Sequence, residues 1–320
     1  MLRACAECRV GTPTVISVKR QAMNCEFELV LCGTDRQYLL DAGNEAFEEL
    51  ARIEEQLSIF IPTSEISDIN ANASNRPVRV DARLFDLLLM AKRVSAETSG
   101  AFDISAGPLA LRWTAGSEGF SVPTSEEINE LISKVGMEHV SLDERDHTIE
   151  LDQPGMILNL GAIGKGHAVR EMASLLRDRG IDAGLVSGGA STVYAIGHPS
   201  DDDGWTVGIR NPVEREERLT TVKLRDQALS TSGGHERFAE LDGVRYSHVI
   251  DPRTGYPADN LLIACAITSD PAESDALSTA FLALGVEETR EFCSTHDNVG
   301  AVLVPKPAPG AELEIMRIGI

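Results

Sequence analysis

The sequence predicts a protein that mixes α-helices and β-strands throughout, with strands paired mainly antiparallel. Three observations carry this. Two alternating apolar runs near the start, residues 15–19 and 27–32, read as the arms of a hairpin. Several stretches with apolar positions on a helical repeat open on capping residues. Between 183 and 230, short strand runs alternate with glycines and charged turns, which favours antiparallel pairing.

Taken in order, the hairpin is followed by Asp35, which can cap a long helix with Leu39, Ala46, Leu50, Ile53 and Leu57 at its apolar positions. A second helix follows Asp81, with Leu84, Leu87, Leu88, Ala91 and Val94 on one face. Thr124 and Glu127, three residues apart, form a capping box that opens a third helix, and Gly136 stops it. A hairpin is expected around 143–147. Residues 156–176 read as strand, glycine turn and helix, with Gly180 at the helix end. Strand runs follow at 184–186, 192–196, 205–209 and 219–224. Residues 231–260, rich in Gly, Ser, Arg, His and Asp, show little periodicity and are expected to form a long functional loop. A last helix starts at Asp270, with Pro271 in its first position and Glu273 in its third, and Gly285 marks its end. Strands at 299–304 and 312–318 flank a Pro-Lys-Pro-Ala-Pro-Gly connection.

The 320 residues include 50 Asp plus Glu against 29 Lys plus Arg, a formal net charge of -21. Such a surface repels a phosphate backbone and no basic stripe relieves it, so nucleic acid is excluded as the default partner. At about 150 residues per domain, the length allows two domains or one large one. Apolar stretches such as 87–91 fall far short of the roughly 18 residues a membrane-spanning helix needs. The start has no apolar signal core and no lipobox, so the expected location is cytoplasmic. The cysteines at 5, 8, 25, 32, 265 and 293 are too scattered for a disulfide framework, and the Cys5/Cys8 pair alone reads as two reduced thiols.

Four constellations could carry chemistry. Asn159-Leu-Gly-Ala-Ile-Gly-Lys-Gly166 sits between a strand and a helix start, where backbone N–H groups and the helix dipole favour an anion. It is not a Walker A loop, and a plain strand-to-helix turn explains it as well. Asp275 and Thr279, four residues apart, share one helix face and offer hard oxygen ligands suited to Mg²⁺. Spacing alone favours the blander reading, an Asp near a helix start and a Thr bonded to its own backbone. Ser230-Thr-Ser-Gly-Gly-His-Glu-Arg237 is a polar glycine turn after a strand. In Ser247-His248-Val-Ile-Asp251-Pro-Arg-Thr-Gly255, His248 is the best candidate general base, because its ordinary pKa near ~6.5 suits proton transfer at neutral pH. His248 could equally be the satisfied partner of that turn.

At these residues the sequence resembles the ApbE family, the FAD:protein FMN transferases. Met23-Asn-Cys-Glu-Phe-Glu, Leu57 through Asn70, Thr98-Ser-Gly-Ala-Phe-Asp103, the 159–166 turn, Ser187-Gly-Gly189, Thr231-Ser-Gly233, the 247–255 run and Asp275-Ala-Leu-Ser-Thr279 follow the family's motifs in order, from about 23 to 285. Each piece is short, but their joint order is specific and spans almost the whole chain.

The resemblance implies a single family unit of α+β fold, with mostly antiparallel sheets, packed helices and two lobes around a flavin-nucleotide cleft. It implies a Mg²⁺-dependent enzyme that cleaves FAD at its pyrophosphate and attaches FMN to a Thr hydroxyl of an acceptor flavoprotein, releasing AMP. Hydrolysis of FAD to FMN and AMP, or non-catalytic FAD binding, are the alternatives. Asp275 and Thr279 match the metal ligands, joined by the main-chain carbonyl of Ala162. Met23, Phe60, Ala101, Phe102, Asp103, Asn159, Lys165 and Ser232 match flavin-nucleotide contacts, together with His248, which also matches the residue that activates the acceptor hydroxyl. Asp275 and His248 are thus the expected catalytic pair. The sequence departs from the family pattern at Asn24 and Cys25 (commonly Gly-Thr), Phe60 (commonly Tyr), Asn159 (frequently Asp), Arg170 (commonly Asp) and His235 (commonly aromatic).

Overall fold

The structure, a computed structural model, describes residues 14–114, 121–199, 202–214, 216–234, 238–241, 244–308 and 310–320. The Cys5/Cys8 pair and the departure at His235 lie outside them.

Strands β1 (Thr14–Ala22) and β2 (Cys25–Gly33) form the expected hairpin, with Ala22 opposite Cys25. Helix α1 (Arg36–Leu57) follows, its start capped by Asp35 Oδ1, which accepts the N–H groups of Gln37 and Tyr38 at 2.9 and 3.1 Å. Next come α2 (Glu65–Asn72), β3 (Val78–Arg79) and α3 (Ala82–Glu97), the last capped by Asp81. Helices α4 (Gly107–Thr114) and α5 (Ser125–Ile132) follow, α5 opening on the reciprocal Thr124–Glu127 capping box. Strands β4 (Val140–Asp143) and β5 (Thr148–Leu151) pair antiparallel, and α6 (Gly164–Asp178) comes after them. Then come β6 (Ala183–Gly188), β7 (Thr192–Ile196), β8 (Trp205–Arg210), β9 (Arg218–Leu224) and β10 (Ala228–Gly233). Four short strands follow: β11 (Phe238–Leu241), β12 (Val244–Ser247), β13 (Ile250–Asp251) and β14 (Tyr256–Pro257). The chain ends with β15 (Leu261–Thr268), α7 (Pro271–Thr295), β16 (Gly300–Pro305) and β17 (Met316–Ile318). No helix among the described residues is long and apolar enough to cross a membrane.

Three expectations change. The strand expected from 156 joins no sheet; only Ile157 makes a single bridge, to Ala106. The segment expected as a loop forms hairpins instead, β11 with β12 and β13 with β14. Gly285, with φ 75° and ψ -164°, ends the first helical stretch of α7 as expected, but a second stretch that was not expected follows it directly, to Thr295.

The described residues fall into two compact units, one drawn from Met1–Glu54, Gly164–Thr231 and Ala266–Asp275, the other from Glu55–Ile163, Ser232–Cys265 and Ala276–Ile320. In the first unit, β1, β2, β6, β7 and β10 are successive antiparallel neighbours. Alternation on β2 sends Phe27, Leu29 and Leu31 inward with no exposure. Gly43 of α1 lies against Leu29 and Val18, while α6 packs on β6 and β7 through Val169.

The second unit is richer in helix. On α3, Leu84, Leu87, Leu88, Ala91 and Val94 are fully buried, as their spacing predicts. Strands β3, β5 and β4 form a small antiparallel sheet. A satellite core of Leu109, Trp113, Ile128 and Ile250 ties α4 and α5 to β13.

Candidate active site

In the first unit the site grows from two helix starts. Asp270 Oδ1 caps α7 by accepting the N–H groups of Ala272 and Glu273 at 2.7 and 3.3 Å, and Pro271 occupies the position where a missing N–H costs nothing. One turn in, Asp275 is only 3% exposed. Its Oδ2 accepts the Gly166 N–H at 2.9 Å, one of the first N–H groups of α6, which have no partner inside their own helix. The Thr192 hydroxyl donates to Oδ1 at 3.2 Å. Lys165 Nζ stands 3.4 Å from Oδ1 and 3.5 Å from Oδ2.

Gly166 is obligatory here. A Cβ at that position would lie 2.2 Å from the Pro271 carbonyl oxygen and 2.7 Å from Asp275 Cβ, so the two helix starts touch with no room for a side chain. That contact brings the N–H to the carboxylate. A buried carboxylate left without compensation costs several kcal/mol, and here the Lys165 ammonium, the α6 N-terminus and a hydroxyl compensate it.

Thr279 lies one helical turn beyond Asp275 on α7. In the second unit its Oγ1 is 3.2 Å from Ser232 Oγ, which is also 2.8 Å from Ser278 Oγ. Ala162 is half-buried in the turn that leads into α6. Carboxylate, hydroxyl and backbone carbonyl are the hard oxygen donors that suit Mg²⁺, an ion that commonly takes one or two carboxylates and keeps several waters. No three His, Cys, Asp or Glu side chains converge into a metal cage among the described residues. A cation on Asp275 would therefore complete its shell with such neutral oxygens, water or substrate.

Asp103 also belongs to the second unit. Its Oδ1 accepts the Ser105 N–H at 2.7 Å and the Ser105 hydroxyl at 2.5 Å, and its Oδ2 accepts the Met137 N–H at 3.1 Å. Ser105 Oγ in turn accepts the Gly136 N–H at 2.7 Å. Burial pushes the Asp103 carboxyl above its ordinary value, and the hydrogen bonds from Ser105 and Met137 only partly pull it back. Ala101 and Phe102 are each 1% exposed, so what they offer a ligand is main chain. Asn159 donates its N–H to the Ile104 carbonyl at 2.7 Å and accepts the Gly161 N–H on its side chain at 2.9 Å, which fixes the glycine turn to the Asp103 segment. Phe60 is 76% exposed and presents an aromatic face to solvent.

Met23 and Asn24 form the two-residue β1–β2 turn, with φ of 50° and 59°. That left-handed pair is what a tight hairpin demands, and Asn tolerates it better than most residues, so the turn survives without the family's glycine. His248 is half-buried between β12 and β13. The turn after it is braced by Asp251, whose carboxylate is gripped by Arg253 through Nε and a terminal nitrogen at 3.0 and 2.9 Å, and by the Trp113 indole N–H on the Gly255 carbonyl at 2.8 Å. Arg253 reaches Glu288 as well, at 2.8 Å.

Sequence reasoning connected Lys165 with Asp275 only through the resemblance; it placed Ser230 in a polar glycine turn without a role for its hydroxyl, and it did not connect Thr192 with Asp275. The hint available was position: Thr192 opens β7 after the Gly188-Gly189 pair, and Ser230 lies inside β10, which ends on Gly233.

The ApbE family profile matches residues 11–303. The chain belongs to the ApbE family. Among relatives in the ApbE family, the FAD:protein FMN transferase of Klebsiella pneumoniae (strain 342) is 32% identical over 88% of this chain and 89% of its own length. The FAD:protein FMN transferase of Treponema pallidum (strain Nichols) is 33% identical over 82% of this chain and 76% of its own. The ApbE protein of Thermotoga maritima superposes with a TM-score of 0.83 at 26% identity, covering 94% of this chain and 96% of that one. The flavin transferase ApbE of Vibrio cholerae gives a TM-score of 0.83 at 25% identity, covering 96% and 97%. The α+β class with mostly antiparallel strands is thus both the observed architecture and that of the ApbE structures.

Proposed function

We propose that this ApbE-family chain is a Mg²⁺-dependent FAD:protein FMN transferase that attaches FMN through a phosphoester to a Thr hydroxyl of an acceptor flavoprotein. The observation that carries the reading is the buried Asp275 carboxylate, held by the Gly166 N–H and the Thr192 hydroxyl with Lys165 beside it. Phosphoryl transfer calls for placement and charge neutralisation more than covalent help, and that pre-organised carboxylate supplies the first of these.

Asp275, Thr279 and the Ala162 carbonyl would hold the cation. When bound, Mg²⁺ supplies neutralisation of the pyrophosphate oxygens. Lys165 and the α6 N-terminus bind the anionic bridge of FAD. Phe60 offers a stacking face to the flavin, while Met23, Ala101, Phe102, Asp103, Asn159, Ser232 and His248 line the nucleotide, Asp103 through the loop it holds. His248 accepts the proton of the attacking Thr hydroxyl. The oxygen bonds to the phosphorus on the riboflavin side, the bridging P–O bond breaks, and AMP leaves with the bridging oxygen.

Incubation of the full chain with FAD, Mg²⁺ and an acceptor flavoprotein tests the reading. A covalently yellow acceptor with one AMP per FMN attached is the expected result. FMN and AMP without a labelled acceptor would make it a hydrolase, and FAD left intact a binding protein. His248→Ala with near-complete turnover would remove the assigned base.

A further inference from the structure

We propose that Thr192, backed by Ser230, is a positioning residue that fixes the Asp275 carboxylate and thereby sets divalent-cation affinity. The inference rests on the reading of Asp275 as a metal ligand and adds to it two hydroxyls outside the carboxylate's own helix.

Thr192 opens β7 and is 2% exposed; Ser230 lies on β10 and is fully buried. The two are direct cross-strand partners in the antiparallel β7–β10 register, so the sheet itself sets their spacing. Ser230 Oγ is 3.3 Å from Thr192 Oγ1, which is 3.2 Å from Asp275 Oδ1. An ionised carboxylate can only accept, so the Thr192 proton points at Asp275, and Ser230 fills the acceptor site this leaves on Thr192. The relay therefore has one direction, from Ser230 to Thr192 to Asp275. Thr is also stiff at χ1, which suits a hydroxyl that must stay aimed at one oxygen.

Two independent donors, Thr192 on Oδ1 and the Gly166 N–H on Oδ2, define the plane of the carboxylate. A ligand with one oxygen tethered could rotate; with both tethered, its remaining lone pairs have fixed directions. Partners of this kind commonly change metal affinity by about 10- to 100-fold when removed. A hydroxyl that merely satisfied the core would change stability and leave cation affinity alone.

The test uses the full chain without FAD and Mn²⁺ as the probe, its binding read by the loss of the free-ion electron paramagnetic resonance signal. Thr192→Val, which keeps the shape and loses the hydroxyl, is expected to weaken Mn²⁺ binding about 10- to 100-fold, and Thr192→Ser to restore it to within a few-fold of wild type. Ser230→Ala is expected to weaken binding less than Thr192→Val, and it keeps the proposal testable if the Val variant does not fold. Wild-type Mn²⁺ affinity in folded Thr192→Val, or in Ser230→Ala if that is the variant available, overturns the proposal. Asp275→Asn separates the two layers. If it abolishes Mn²⁺ binding while Thr192→Val does not alter it, only the positioning role fails; if Asp275→Asn binds Mn²⁺ like wild type, the metal reading itself falls.

Discussion

Asp275 in one unit and Asp103 in the other are the same side chain in two electrostatic settings. Asp275 is buried and Asp103 half-buried, and both accept hydrogen bonds on each oxygen. Asp275 faces the Lys165 ammonium and takes its donors from two separate segments, α6 and β7. Asp103 has no cation among the groups that shift its pKa, is bound by Ser105 two residues away and by Met137, and holds its proton more tightly than usual because burial outweighs those donors. A carboxylate compensated by a lysine ammonium can exchange that ammonium for a metal ion. One held by two backbone N–H groups and a neighbouring hydroxyl is a clamp, because its partners are neutral groups fixed to the loop it holds.

Four experiments would break or sharpen this contrast. Asp275→Ala should cut FMN transfer on the order of 10³-fold or more, since it removes the only carboxylate assigned to the cation; AMP release is the measurement, and a small effect would erase the distinction. Gly166→Ala should destabilise the protein by about 1–3 kcal/mol in urea unfolding and also weaken Mn²⁺ binding, because the methyl pushes the α6 N–H off Asp275. Asp103→Asn should cost about 1–2 kcal/mol, because the new amide N–H₂ confronts the Met137 N–H, and should leave Mn²⁺ affinity at the wild-type value. A collapse of metal affinity there would make Asp103 part of the cation site.

The smallest effect is on the pH dependence of stability. The Asp103 carboxyl titrates above its ordinary value in the folded protein, so the native state binds more protons than the unfolded chain between the two values, and stability declines as pH rises through that window. Asp103→Asn should remove that decline, visible as a difference in slope between the two proteins in urea unfolding across the acid range.

Much of this could be read locally. Asp35, Asp81, Thr124 and Asp270 announce their helices because a cap is a contact between a side chain and N–H groups two or three residues away. Helix α2 escaped because it is short and buries only Ile66 and Ile69, although Ser64 caps it, and α4 because it opens on Gly-Pro. The hairpins β11–β12 and β13–β14 escaped because cross-strand pairing in Gly- and charge-rich segments leaves little alternation to read.

The same division holds at the site. The order of motifs, the helix starts at Lys165 and Asp270 and the placement of Asp275 and Thr279 on one helical face were determined by the sequence alone, because each depends on neighbours within a turn or two. That Gly166 must touch Pro271, and that Ser230 aims Thr192 at Asp275, only the tertiary structure decided. The hydrogen bonds that join Ser230, Thr192, Asp275 and Gly166 link residues 38 to 109 positions apart, and what sets their distances is helix packing and strand register rather than any local preference.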